Sequence, residues 1–593
     1  MKMKNFVLAS IVLFLFSCET KKEYNTNAPL TTFEKSEGTK TSTYNETIAF
    51  YIELAKDIPE INIQSIGNTD SGFPLHIVTF NPDANFNFER IRKDKVLVLI
   101  NNGIHPGESD GIDATMLLFR DLAYGNIQSP KNTVITTIPI YNIGGSLNRN
   151  STTRANQNGP ISYGFRGNAQ NYDLNRDFIK TDTENAKSFS KIFHLVKPDI
   201  FIDNHVSNGA DYQYTLTHLF TQHNKLGGQI GSYLNKEFRP ALENNLKAKG
   251  WDITPYVNVF NRPPETGFSQ FLDSPRYSTG YTTLWNTLGM MVETHMLKPY
   301  KNRVKGTYQL MVEAIGIADK EKQKIKDLRL EQFNTIANAK TYYLNWQVDT
   351  TKNSILNFKG LKADTIKSKI TGFPRLKYDS SKSFTKEVIY QNYFSPADTI
   401  TIPAAYIIKK GWFKIIEKLE NNKIDFFEIK NDTTLTVESY KIDDYKTRNS
   451  AYEGHYLHYN TTVVSSKEEV SFLEGDFVVP TNQNGIRYLL ETLEPQAPDS
   501  FFNWNFFDTV LQQKEGFSPY VFEDEAYKML QENETLRANF LSKKENDETF
   551  AKNWYAQLDW LFKKSEHYEK AHLQYPVYRI LKGSPEENIL LDR

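Results

Sequence analysis

The chain has 593 residues, more than one hydrophobic core usually organises, so at least two folded bodies are expected. Charged residues make up 24% and the net charge is −1, which excludes a strongly basic nucleic-acid binder or a polybasic membrane-surface protein. A single cysteine, Cys18, excludes disulfides within the chain.

Met1-Lys2-Met3-Lys4 precedes an apolar run from Phe6 to Phe16, the pattern of an export signal and too short for a transmembrane helix. The run ends Leu15-Phe16-Ser17-Cys18 and resembles a bacterial lipoprotein signal. That resemblance implies export, lipidation of Cys18 and anchoring to the cell envelope on its periplasmic or cell-surface side. Residues 1–18 are then the signal, and 19–44, rich in Lys, Thr, Asn, Ser and Glu, read as a flexible tether.

From 45 to 345 the pattern predicts an α/β domain. Asn45 is placed to cap a helix carrying Ile48, Ile52 and Leu54, and two strands flank the turn at 67–72. Val96-Leu97-Val98-Leu99-Ile100 is a short unbroken apolar run, the mark of a strand buried on both faces. A helix starting at Ser109, a strand at 133–141, a helix at 182–195 and strands at 199–203 and 288–292 follow, with helical character at 307–347. Strands alternating with helices predict a doubly wound, mostly parallel mixed sheet whose ligand crevice lies beyond the carboxyl ends of the strands. From 350 to 480 short β-branched and aromatic runs predict a β-rich accessory domain, and 485–593 read as a mixed, partly helical tail.

Chemistry concentrates at the ends of those strands. Asn-Gly-Ile-His-Pro-Gly-Glu at 102–108 follows one apolar run, and Phe-Ile-Asp-Asn-His at 201–205 forms another. His105, Glu108 and His205 supply two imidazoles and a carboxylate, the donor set of a catalytic zinc that keeps one position for water. Between them lie Arg154-Ala155-Asn156-Gln157-Asn158-Gly159 and Asp173-Leu174-Asn175-Arg176, and the last strand ends Glu293-Thr294-His295.

The ordered set His-x-x-Glu, Arg-x-Asn-x-Asn-Gly, Asp-x-Asn-Arg, Asp-x-His and a strand ending in Glu resembles the zinc metallocarboxypeptidases of the carboxypeptidase A type over about residues 45–320. The resemblance implies one zinc ion held by His105, Glu108 and His205, with Asp173 accepting from the outer nitrogen of His105. It implies that Asn175 and Arg176 hold a substrate's C-terminal carboxylate. Arg154 is then the group that polarises the scissile carbonyl, and Glu293 the general base for a zinc-bound water. Arg149 and Arg166 compete with Arg154, and Tyr277 and Tyr281 compete as the tyrosine that caps the substrate, with Tyr277 preferred. Asn142-Ile143-Gly144-Gly145 stands where the family has an Asn-Pro-Asp-Gly-like turn, and residues 160–172 are inserted before Asp173.

The function so implied is removal of C-terminal residues from peptides with a free carboxylate, by an enzyme joined to a membrane only through its N-terminal lipid and with no nucleic-acid partner. Nothing in the sequence sets an oligomeric state. Two other readings share these residues: a zinc amidohydrolase acting on acylated amino acids or cell-wall peptides, and a catalytically silent lipoprotein that binds peptide or glycan. Retention of Glu293 beside a full ligand set argues against the silent one.

Overall fold

The computed structural model describes residues 28–591, so Cys18 and the signal read at 1–18 lie outside the described residues. Eight strands form the main sheet: β1 (Ile61–Asn68), β2 (Pro74–Phe80), β3 (Val96–Asn101), β4 (Thr133–Ile138), β5 (Ile200–Ser207), β6 (Leu216–Phe220), β7 (Ile253–Pro255) and β8 (Leu288–His295). Their order is β1-β2-β4-β3-β5-β8-β6-β7. The central four, β4-β3-β5-β8, run parallel, whereas β2 joins β4 and β6 joins β8 antiparallel. Every residue of β3, β4 and β5 is buried, the apolar run of β3 as expected and the polar residues of β4 and β5 with it.

Strand alternation sends neighbouring side chains to opposite faces, each covered by helices. On one face Asn204 of β5 meets the helix Asp110–Ala123, which packs on Tyr300–Lys320. That approach is close: a Cβ on Gly111 would lie 2.3 Å from Asn204 Cβ, so only glycine fits there. On the other face Phe201 meets Phe189 of the helix Glu184–Val196, with ring centroids 6.0 Å apart.

The structure corrects several expectations from the sequence. Residues 28–43 pack against the body instead of forming a loose tether. Thr31 and Glu34 close a capping box on the helix Thr32–Lys35, Phe33 packs edge-on to Tyr300 at 5.8 Å, and Ser42 N–H donates to buried Asp113 at 3.2 Å. The next helix, Tyr44–Asp57, is capped by Thr43 rather than Asn45, because Thr43 has Glu46 three residues on to complete its own box. The stretch expected to be helical over 307–347 is two helices, Tyr300–Lys320 and Lys322–Ala337, followed by short strands that pair with 394–401.

A change of texture near 350 does not divide the core. The main apolar cluster runs from Phe33 through the sheet to Tyr406, Leu489, Phe501 and Tyr575. The long hairpin Ser354–Lys367/Pro374–Gln391 pairs with Phe268–Ser269 and shares a cluster with Tyr212, Tyr214 and Val257. A second, six-stranded sheet includes Ala405–Ile408 and takes Val577–Ile580 from the tail as an interior strand. The helices within 519–562 have a small core of their own. Among the described residues no helix is long and apolar enough to cross a membrane.

Candidate active site

The carboxyl ends of β3, β5 and β8 open into one cleft of about 640 Å³, lined among others by His105, Glu108, Arg154, Arg166, Asn175, Arg176, His205, Tyr277 and Glu293. Gly103, with φ of +65°, turns the chain after β3 and starts the loop that carries His105 and Glu108. Parallel pairing of β5 with β8 sets His205 directly beside Glu293.

His105, Glu108 and His205 converge with their donor atoms all within 4.8 Å of one another. Each oxygen of Glu108 faces one imidazole: Oε1 lies 3.3 Å from His105 Nδ1 and Oε2 lies 3.2 Å from His205 Nδ1. The outer nitrogens are already engaged, His105 Nε2 with Asp173 Oδ1 at 2.9 Å and His205 Nε2 with Asp203 Oδ2 at 2.8 Å. Both rings therefore aim Nδ1 at the shared point, and His105 Nδ1 is buried without a hydrogen-bond partner. A buried ring nitrogen facing a carboxylate and a second imidazole, with its outer nitrogen fixed by an acid, is the donor geometry a zinc ion takes.

Electrostatics follows from this crowding. Burial opposes charge on Glu108, but His105 and Arg154 hold its carboxyl well below the ordinary range. Burial also opposes charge on Asp173, and His105, Arg166 and Arg176 again reverse the balance and hold it low. Glu293 behaves differently: burial pushes it up to about 7, with Glu108 and Asp203 adding to the rise and His205 opposing it. Glu293 lines the cleft beside His205.

Arg154 reaches the cleft and donates to Glu108 Oε1 at 2.9 Å, while its Nε is held by Gln157. Its two competitors separate. Arg149 turns away and donates to Ser162 O at 2.7 Å. Arg166 lines the cleft and donates to Asp173 Oδ2 at 2.8 Å. Arg176 donates to Asn175 O at 2.7 Å and lies under the Tyr277 ring, 4.5 Å from its centroid. Asn175 is buried and accepts from Ser278 N–H at 3.2 Å. Tyr281 lies in the core, its hydroxyl donating to Asn422 at 2.7 Å, so Tyr277 is the cleft tyrosine of the two. His295 is fully buried and spends both ring nitrogens on the backbone at Ala210 and Leu297, away from the donor cluster.

Sequence reasoning gave Asp203 no role, although its Asp-x-His spacing placed it on the same strand face as His205. Leu219, Tyr256, Phe271 and Met291, which also line the cleft, carried no motif at all.

No family model matches the chain. A curated relative, carboxypeptidase 2 of Trichophyton rubrum, is 22% identical over 503 residues, covering 79% of this chain and 84% of the relative. Similar solved structures include a metallo-carboxypeptidase from Burkholderia cenocepacia, 17% identical with a TM-score of 0.35 over 46% of this chain and 69% of that one. Another is carboxypeptidase A from Helicoverpa armigera, 13% identical with a TM-score of 0.37 over 48% of this chain and 75% of that one. The curated relative is itself named a carboxypeptidase.

Proposed function

We propose that this chain is a zinc-dependent metallocarboxypeptidase that removes the C-terminal residue from peptides. The observation that carries the reading is the meeting, in one cleft, of the donors His105, Glu108 and His205 with a base-like Glu293 and the guanidinium of Arg176. When bound, zinc supplies a Lewis acid and acidifies its water toward neutrality. The chain supplies the rest. Glu293 takes the proton of the attacking water and delivers it to the leaving amine. Arg154 donates to the carbonyl oxygen as negative charge grows there.

Asn175 and Arg176 recognise the terminal carboxylate, for which a guanidinium offers paired, charge-assisted hydrogen bonds. Tyr277, stacked on Arg176, closes that end of the cleft. Leu219, Phe271 and Met291, which line the cleft, favour an apolar terminal side chain. A matched pair of peptides, one a free acid and one a C-terminal amide, tests the assignment. The free acid should lose its last residue and the amide should persist. Equal cleavage of both would favour the amidohydrolase reading.

Export and anchoring through Cys18 belong to the same proposal. Metabolic labelling with a radioactive fatty acid should mark the wild type and not Cys18→Ser, and an unlabelled wild type would remove the anchor.

A further inference from the structure

Two segments of the C-terminal half reach back to the loops that carry Asn175, Arg176 and Tyr277. Glu453 Oε2 accepts the backbone N–H of Asp173 at 2.8 Å. Glu453 and Gly454 both have positive φ, 49° and 80°, and this bend lets the backbone press on Tyr172: a Cβ on Gly454 would come 2.7 Å from the Tyr172 hydroxyl. Next along the chain, His455 Nε2 lies 2.7 Å from Asp182 Oδ2. Beside Tyr277, Asp499 is fully buried and receives both the backbone N–H of Arg276 at 3.0 Å and its Nε at 2.7 Å. The Arg276 guanidinium is covered by Trp504, 5.2 Å from its centre.

None of these C-terminal residues lines the cleft. Glu453 and Asp499 each grip a position close to one that does: Asp173 sits two residues before Asn175, and Arg276 one residue before Tyr277. Asp499 is a buried carboxylate, costly unless paired, whereas Glu453 is half-buried, and removing either one leaves a loop N–H without its acceptor. The partners here are the two loops that frame the proposed carboxylate pocket.

We propose that the C-terminal region is an integral support behind the active-site loops, with Glu453 and Asp499 as positioning residues that set the guanidinium of Arg176 and the ring of Tyr277 for a substrate's terminal carboxylate. The inference rests on the carboxypeptidase reading. It assigns the region after 350 a role in substrate recognition rather than leaving it an appended module.

The test uses the full chain loaded with zinc, with Glu453→Ala and Asp499→Ala compared with the conservative Glu453→Gln and Asp499→Asn. For free-acid peptides each alanine variant should raise KM about tenfold with kcat within about twofold, and Glu453→Gln, which keeps an acceptor, should recover most of the loss. Hydrogen exchange gives a readout independent of turnover. Residues 172–178 should exchange several-fold faster in Glu453→Ala, and 276–282 in Asp499→Ala, while β3 and β5 stay protected. Should an alanine variant fail to fold, the same exchange comparison on Glu453→Gln and Asp499→Asn decides, with faster exchange in 276–282 of Asp499→Asn supporting the proposal. Faster exchange in these loops in a protein inert toward free-acid peptides would keep the positioning contacts and remove the carboxylate reading. Unchanged exchange, or faster exchange with KM unmoved, would overturn the proposal.

Discussion

Replacing Asp173 with Asn tests whether the acid behind His105 builds the metal site. Asp173 accepts from His105 Nε2 at 2.9 Å, and the same carboxylate receives Arg166 at 2.8 Å and the N–H of Asn175 at 2.9 Å. Asn keeps the shape and one acceptor oxygen but loses the charge that makes the His105 ring a stronger donor. Losses of such outer partners cost roughly 10- to 100-fold in metal affinity, or about 1.4–2.7 kcal/mol. Since the amide oxygen can still accept from Nε2–H, the expected loss lies toward the lower end, about tenfold. Competition titration against a chromophoric zinc chelator at constant pH measures it without any turnover. Asp203→Asn, which does the same to His205 at 2.8 Å, should weaken zinc to a similar degree. Affinities within twofold of wild type in both variants would refute the reasoning.

At saturating zinc, Arg154→Gln should lower kcat by about 10²–10³, the scale of losing one preorganised donor to a developing oxyanion. Arg149→Gln, whose parent side chain points away from the cleft, should leave the rate near wild type. A comparable loss in Arg166→Gln but not Arg154→Gln would move the carbonyl role to Arg166. A third expectation concerns acid stability. Despite burial, His455, Lys180 and Lys418 hold Asp182 below its ordinary value of 3.8. Its contribution is therefore present above pH 3.8 and is lost as pH falls below that value toward the folded pKa. The melting temperature of Asp182→Asn should fall less steeply than that of wild type below about pH 4, and parallel curves would contradict the linkage.

What the sequence disclosed follows from range. His105, His205 and Glu293 follow buried apolar runs toward the carboxyl ends of their strands, which is where α/β sheets put their chemistry. Asp173 and Arg176 were legible because their motif is local. Arg149 and Tyr281 were candidates only because spacing carries no direction, and the structure turns one toward Ser162 and the other into the core.

Residues 28–43 hid their order behind polar composition. One aromatic anchor, Phe33, and long-range pairs such as Glu34 with Arg120 hold the segment, and no local pattern announces a partner 86 positions away. Glu453 and Asp499 were invisible for the same reason. Their partners lie 280 and 223 positions earlier, and a single carboxylate has no periodicity to betray it.

The most direct test of the central claim is mass spectrometry of a mixed pool of free-acid peptides incubated with zinc-loaded protein, with Glu293→Gln and a chelated sample in parallel. The account predicts stepwise loss of C-terminal residues, apolar ones first, in the untreated wild type alone. Intact peptides with zinc-loaded wild type, or equal trimming by Glu293→Gln, would contradict it.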